Sequence, residues 1–184
     1  MPPPRIPDRR LTTQDLGALP PYGGRVELIH GAIMMGLRPD AAHQKALGQL
    51  TALLVTACPP GLHVLPAPFP VRPTELDELQ PDLLVAREED LTPLVLPTAP
   101  VLVVEIVSPR TALHDTLHKK AAYERLGVRS YWIVDPRAPG LAVHELIDGR
   151  YHLTAEALAD TPFHAVHPFP VTVTPAALLG TLAH

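Results

Sequence analysis

Glu105 is the one carboxylate in the stretch Val101, Leu102, Val103, Val104, Glu105, Ile106 and Val107. A run this apolar and β-branched predicts a strand covered on both faces. An ionised carboxylate there is costly unless a metal ion, a cationic side chain or a proton compensates it. The first two options make the strand a candidate reaction centre. Two other charged residues have spacings that could bring them to it. Residues 83–85 can pair antiparallel with the Glu105 strand, which places Asp82 near Glu105. Residues 115–126 predict a helix, and at 100° per residue Asp115, Lys119, Ala122, Tyr123 and Leu126 share about a third of its circumference. Lys119 therefore faces the sheet and needs an anionic partner, for which Glu105 is the nearest candidate. Lys120 projects with Thr116 and Glu124 toward water, and Leu117 on that polar side is an imperfection in the pattern.

The elements that must position these groups are legible from where proline is absent, since 24 prolines and 11 glycines punctuate the chain. Thr12 or Thr13 can cap a short helix running to Leu19, ended by Pro20, Pro21, Gly23 and Gly24. Residues 25–30 and 32–37 read as two short strands around Gly31. Residues 41–57 carry a helical stripe of Ala46, Leu47, Leu50, Leu53, Leu54 and Ala57 and stop at Pro59 and Pro60. Strands follow at 63–67, at 83–85 and around Glu105, where Ser108 and Pro109 break the run. The helix over 115–126 ends at Gly127 and crosses over to a strand at 130–134. A hairpin over 142–146 and 151–154 turns at Asp148 and Gly149. The chain then runs into Pro-rich extended segments. This order predicts one α/β domain over residues 1–184, a mixed sheet flanked by helices, with its core at about 25–155.

Composition narrows the classes. Fifteen Lys and Arg against 19 Asp and Glu give a net charge of −4, so nucleic acid could be held only by a local patch. The single cysteine, Cys58, excludes an internal disulfide and a multi-cysteine zinc site, and reads as a small buried apolar side chain. The first ten residues have no apolar core of a secretory signal, and no run is long enough to span a membrane. A soluble cytoplasmic protein is the expectation. His114 and His118 have i, i+4 spacing without the glutamate of a zinc-protease motif. No Gly-rich phosphate loop or Gly-x-Ser-x-Gly elbow is present, against a nucleotide triphosphatase or an α/β-hydrolase.

The segments PDLLVA at 81–86, VVEIVSP at 103–109 and DTLHKKAAYERLGVRSYWIVDP at 115–136, with VELIHG at 26–31 and His43 in the long helix, resemble the Uma-two family of endonucleases within the PD-(D/E)XK superfamily. The resemblance covers about residues 25–136. It implies a restriction-endonuclease-like fold with an added N-terminal hairpin and C-terminal strands, and a Mg²⁺- or Mn²⁺-dependent phosphodiesterase site acting on nucleic acid, with DNA as the expected substrate. One departure stands out. The superfamily places lysine two residues after the glutamate, where this chain has Val107, and the family displaces it onto the next helix, where Lys119 matches. In that scheme Asp82 and Glu105 ligate the metal and Lys119 orients water or stabilises transition-state charge. Glu27 corresponds to a further acidic position, either a metal ligand or a structural partner. By analogy with nucleases of this fold, a homodimer is expected.

The residues taken singly leave other readings open. Glu105 and Lys119 could form a purely structural ion pair, and the whole could be a non-cleaving nucleic-acid-binding or assembly module. Asp82 after Pro81 could be a turn residue, and Glu27, on a short strand near a turn, reads as solvated. His43 reads as a helix N-terminal residue or a substrate contact. Asp115 reads as a first-turn carboxylate favoured by the helix dipole. Of Tyr131 and Trp132, which alternate across a strand, one is expected in the core, leaving the other for base stacking.

Overall fold

A computed structural model describes residues 9–19, 24–36, 38–107 and 114–180, with the side chains of residues 114–116 outside the description. The expected stops at Pro20, Pro21, Gly23, Ser108 and Pro109, the strand end at Leu37, and the side chains of His114 and Asp115 lie outside the described residues.

The chain begins with a one-turn helix, α1 (Thr13–Gly17), where Thr12 and Asp15 form a reciprocal capping box. Strands β1 (Val26–Ile29) and β2 (Ala32–Met35) make a hairpin. Its two turn residues, His30 at φ 50° and Gly31 at φ 81°, are both left-handed, the conformation that a two-residue turn matched to strand twist demands. Helix α2 (Ala41–Ala57) starts where the Asp40 side chain accepts the N–H of His43 at 2.9 Å. It buries Ala46, Leu47, Leu50 and Leu54. Leu53, expected in the same stripe, instead turns outward.

Strands β3 (Leu62–Pro66), β4 (Val71–Thr74), β5 (Asp77–Leu79), β6 (Leu83–Arg87) and β7 (Leu102–Ile106) precede helix α3 (His114–Leu126). After it come β8 (Ser130–Asp135), β9 (Gly140–Ile147), β10 (Arg150–Leu158), β11 (Phe163–Ala165) and β12 (Val171–Val173). The main sheet has six strands in the order β10-β9-β8-β7-β6-β3. Only β7 and β8 run parallel, and α3 makes the crossover between them. A second sheet, β2-β1-β5-β4, carries the N-terminal hairpin.

Alternation along the central strands splits the core into two faces. Leu83, Val85, Leu102, Val104, Ile106, Trp132 and Val134 pack with α2 and with Ala165, Phe169 and Val173 from the chain end. Val103 and Tyr131 pack on the other side with Ala122 and Tyr123 of α3 and Leu79 of β5. Each fully buried leucine stabilises the fold by roughly 1.5–3 kcal/mol relative to an exposed one.

Three expectations change. Strands β4 and β5 occupy a stretch that reads as Pro-rich and charged, because Asp77 and Glu78 are buried there against Arg125 and Arg72. The Pro-rich C-terminal region forms the β11–β12 pair and closes the α2 face. Tyr131 and Trp132 are both fully buried, since β8 is central and covered on both faces. Trp132 meets Phe163 edge-on at 5.6 Å, and Tyr131 lies 5.4 Å from Tyr123, so neither is left for base stacking. Cys58, half-buried after α2, packs against the core and directs Sγ to the Leu62 carbonyl at 3.2 Å. Among the described residues no helix is long and apolar enough to cross a membrane.

Candidate active site

Pairing of β6 with β7 ends with Leu83 opposite Val104, which leaves Asp82 next to Glu105, the residue that α3 covers. Glu105 Oε1 accepts from Lys119 Nζ at 2.9 Å and from the Tyr123 hydroxyl at 2.7 Å. Lys119 and Tyr123 are one helical turn apart on α3, so one face of that helix delivers both donors. Lys119 Nζ also lies 3.0 Å from Glu27 Oε2, and Glu27 Oε1 accepts the N–H of Gln80 at 2.7 Å. Asp82 is held at both oxygens: Oδ1 accepts from Arg25 Nη2 at 2.9 Å, and Oδ2 accepts the N–H of Ile106 at 2.8 Å and faces His43 Nε2 at 3.1 Å. Arg25 additionally donates to the Gln80 carbonyl.

The structure thus brings together Glu27, Asp82, Glu105 and Lys119, all buried. Asp82 is no mere turn residue, and Glu27 is 2 % exposed rather than solvated. His43 does two jobs, since its backbone N–H is capped by Asp40 and its ring holds Asp82. Sequence reasoning missed Arg25 and the hydroxyl role of Tyr123. Arg25 was detectable: it lies two residues before Glu27, and strand alternation places the two on one face.

The two site carboxylates have opposite environments. Burial acts first on Glu105 and, reinforced by the charges of Asp82 and Glu27 against the opposing pull of Lys119, pushes its pKa up to about 7. Burial also works against Asp82 ionisation, but His43 and the Arg25 guanidinium outweigh it and hold the carboxyl down at about 2. Lys119 keeps its charge: burial disfavours it, yet Glu105 and Glu27 raise its pKa above the ordinary lysine range. Burial and the Glu105 charge drive the Tyr123 hydroxyl well above its usual pKa, so it remains a donor. Carboxylates driven apart in this way are the pattern of sites that divide ligand and proton-handling roles.

The donor set suits a hard divalent cation in part. Among the described residues, no three His, Cys, Asp or Glu side chains converge to hold a metal. Lys119 stands between Glu27 and Glu105, and the second oxygen of Glu27 accepts the Gln80 N–H. The β6–β7 register sets Asp82 next to Glu105. Two carboxylates with water completing the shell is the ordinary way Mg²⁺ is held.

A cleft of about 390 Å³ adjoins this centre, with Arg25, Arg38, His43, Gln44, Gln80 and Asp82 among its walls. Among the described residues, His43 Nδ1 is buried with no hydrogen-bond partner.

Residues 13–176 match the Uma2 family model, described as "Putative restriction endonuclease". The chain belongs to the Uma2 family. The Uma2 chain also resembles a crystal structure of a "putative nuclease belonging to DUF820" from Anabaena variabilis ATCC 29413, with a TM-score of 0.72 at 17 % identity over 92 % of this chain and 97 % of that one. At that identity the likeness shows a shared fold, the mixed α/β fold of a nuclease-like protein. No curated protein matches the Uma2 chain. Lys119 lies on α3 with Nζ 2.9 Å from Glu105 Oε1.

Proposed function

We propose that the chain is an endonuclease that hydrolyses phosphodiester bonds in DNA, using Mg²⁺ or Mn²⁺ held by Asp82 and Glu105. The observation that carries this reading is the placement of Asp82, just ahead of β6, next to Glu105 of the neighbouring strand β7, with Lys119 Nζ 2.9 Å from Glu105, beside a cleft that Asp82 lines. Bound there, the metal supplies a water of lowered pKa and neutralises charge on the phosphoryl oxygens. The Ile106 N–H and His43 hold the Asp82 carboxylate toward Glu105, and Tyr123 fixes Glu105 from the helix side. Lys119, charged and pre-oriented, donates to the attacking water or to a non-bridging oxygen as charge grows there. Arg25 presents a guanidinium at the cleft wall, a geometry suited to phosphate oxygens. A homodimer would set two such sites against the two strands of a duplex.

One observation favours the non-cleaving alternative: Arg25 and Lys119 already satisfy the carboxylates without any metal. Calorimetric titration of Mn²⁺ into metal-free protein separates the two readings. The nuclease reading expects one saturable site per chain, weakened at least about tenfold in Asp82→Asn that retains its fold by circular dichroism. Absence of Mn²⁺ binding, with intact fold, contradicts it and leaves the module.

A further inference from the structure

A second cleft, of about 300 Å³, lies at the other end of the same strands, lined by residues just before β7 and at the start of β8. Asp82 precedes β6 and Arg87 ends it, so the two clefts are separated by about 16 Å at 3.3 Å per strand residue. Arg87, Arg129 and His167 reach this cleft from three places: the end of β6, the connection from α3 to β8, and the connection from β11 to β12. Leu62, Pro100 and Val101 give it apolar walls. None of the described residues that line it is Asp or Glu.

Arg129 differs from most of the described arginines. Arg25, Arg72, Arg125, Arg137 and Arg150 each hold a carboxylate at 2.5–2.9 Å. No described carboxylate pairs with Arg129, although the chain has 19 acidic residues to 15 basic. Among the described carboxylates, Arg87 meets Asp90 alone, at 3.5 Å on the surface. Such an exposed pair contributes little and leaves the guanidinium free to turn. Two guanidiniums and an imidazole lining one cleft that has no carboxylate among its lining residues, against walls that lower the local dielectric, make a site for an oxyanion.

We propose that this cleft binds a phosphomonoester, with Arg87 and Arg129 on the phosphate oxygens and the apolar walls against its organic body. The site takes no part in the nuclease reading and stands whether or not that reading does. Free mononucleotides and the 5′-phosphate end of a nucleic-acid strand present this chemistry equally.

Calorimetry with adenosine 5′-monophosphate and with inorganic phosphate tests it on the whole chain. Saturable binding of the nucleotide is expected, weakened about tenfold or more in Arg129→Ala and largely kept in Arg129→Lys, which retains the charge. Arg129 is an exposed side chain, so its variants fold as the parent does. A short oligonucleotide with a 5′-phosphate, beside its 5′-hydroxyl twin, then shows whether the phosphate is also accepted at a strand end. No saturation by the nucleotide up to about 10 mM, equal affinity in parent and Arg129→Ala, or binding of inorganic phosphate with exclusion of the nucleotide would each overturn the assignment.

Discussion

Asp82 Oδ2 accepts the backbone N–H of Ile106 at 2.8 Å, so the carboxylate ahead of β6 is tied to the residue that follows Glu105 on β7. The bond anchors the Asp82 side chain to the main chain of β7, one residue past Glu105. His43 from α2 and Arg25, immediately ahead of β1, complete the hold on Asp82, and α3 supplies Lys119 and Tyr123 to Glu105. Each covering layer thus contributes to one small centre.

Removing Lys119 tests how that centre is balanced. Lys119→Met leaves Glu27 and Glu105 buried without their shared counter-charge, and the expected loss is about 3–5 kcal/mol in urea unfolding. Adding Glu27→Gln should restore part of the loss by removing one of the stranded charges. A single variant as stable as the parent contradicts the ion-pair account.

The pH dependence of stability carries a sign fixed by Glu105. Its pKa rises from 4.5 in the unfolded chain to about 7 in the folded one, so across that window the folded protein holds a proton the unfolded chain has released. Stability therefore falls as pH rises through the window. Asp82 acts in the opposite sense and lower down, its contribution present above 3.8 and lost as pH falls through about 2. In metal-free protein the urea midpoint should decline between about pH 5 and pH 7, and Glu105→Gln should flatten that decline. The same slope in both proteins speaks against the assignment.

Gly31 is predicted to be intolerant of any side chain. Its φ of 81° is left-handed, and an added Cβ would lie 2.6 Å from the Arg10 Cβ. Gly31→Ala should lower stability by about 1–2 kcal/mol, read as a drop of several degrees in Tm. An unchanged Tm would mean that the hairpin turn relaxes freely.

The central strands and both long helices were legible because their apolar periodicities are strong despite Leu53 and Leu117, and Glu105 was conspicuous because it breaks an apolar strand. Lys119 followed from helical spacing alone, and the antiparallel register put Asp82 beside Glu105. Strands β4 and β5 were hidden because Asp77 and Glu78 look solvated in sequence, while Arg125 and Arg72 allow their burial. Glu27 was misread for the same reason, since its partner Lys119 lies on α3, far along the chain. The β11–β12 pair was obscured by its prolines, which sit around the two strands rather than within them. What periodicity cannot supply is the identity of long-range charge partners, and those decide which polar residues are buried.

The most direct test of the central claim is nicking of supercoiled plasmid by identically purified parent and Glu105→Gln proteins, in Mg²⁺ and in chelator. The account predicts that the parent converts plasmid to open circles only with the metal, and that Glu105→Gln, folded by circular dichroism, is at least about a hundredfold slower. Equal cutting by the two proteins, or no cutting by a parent that is folded and metal-loaded, would contradict it.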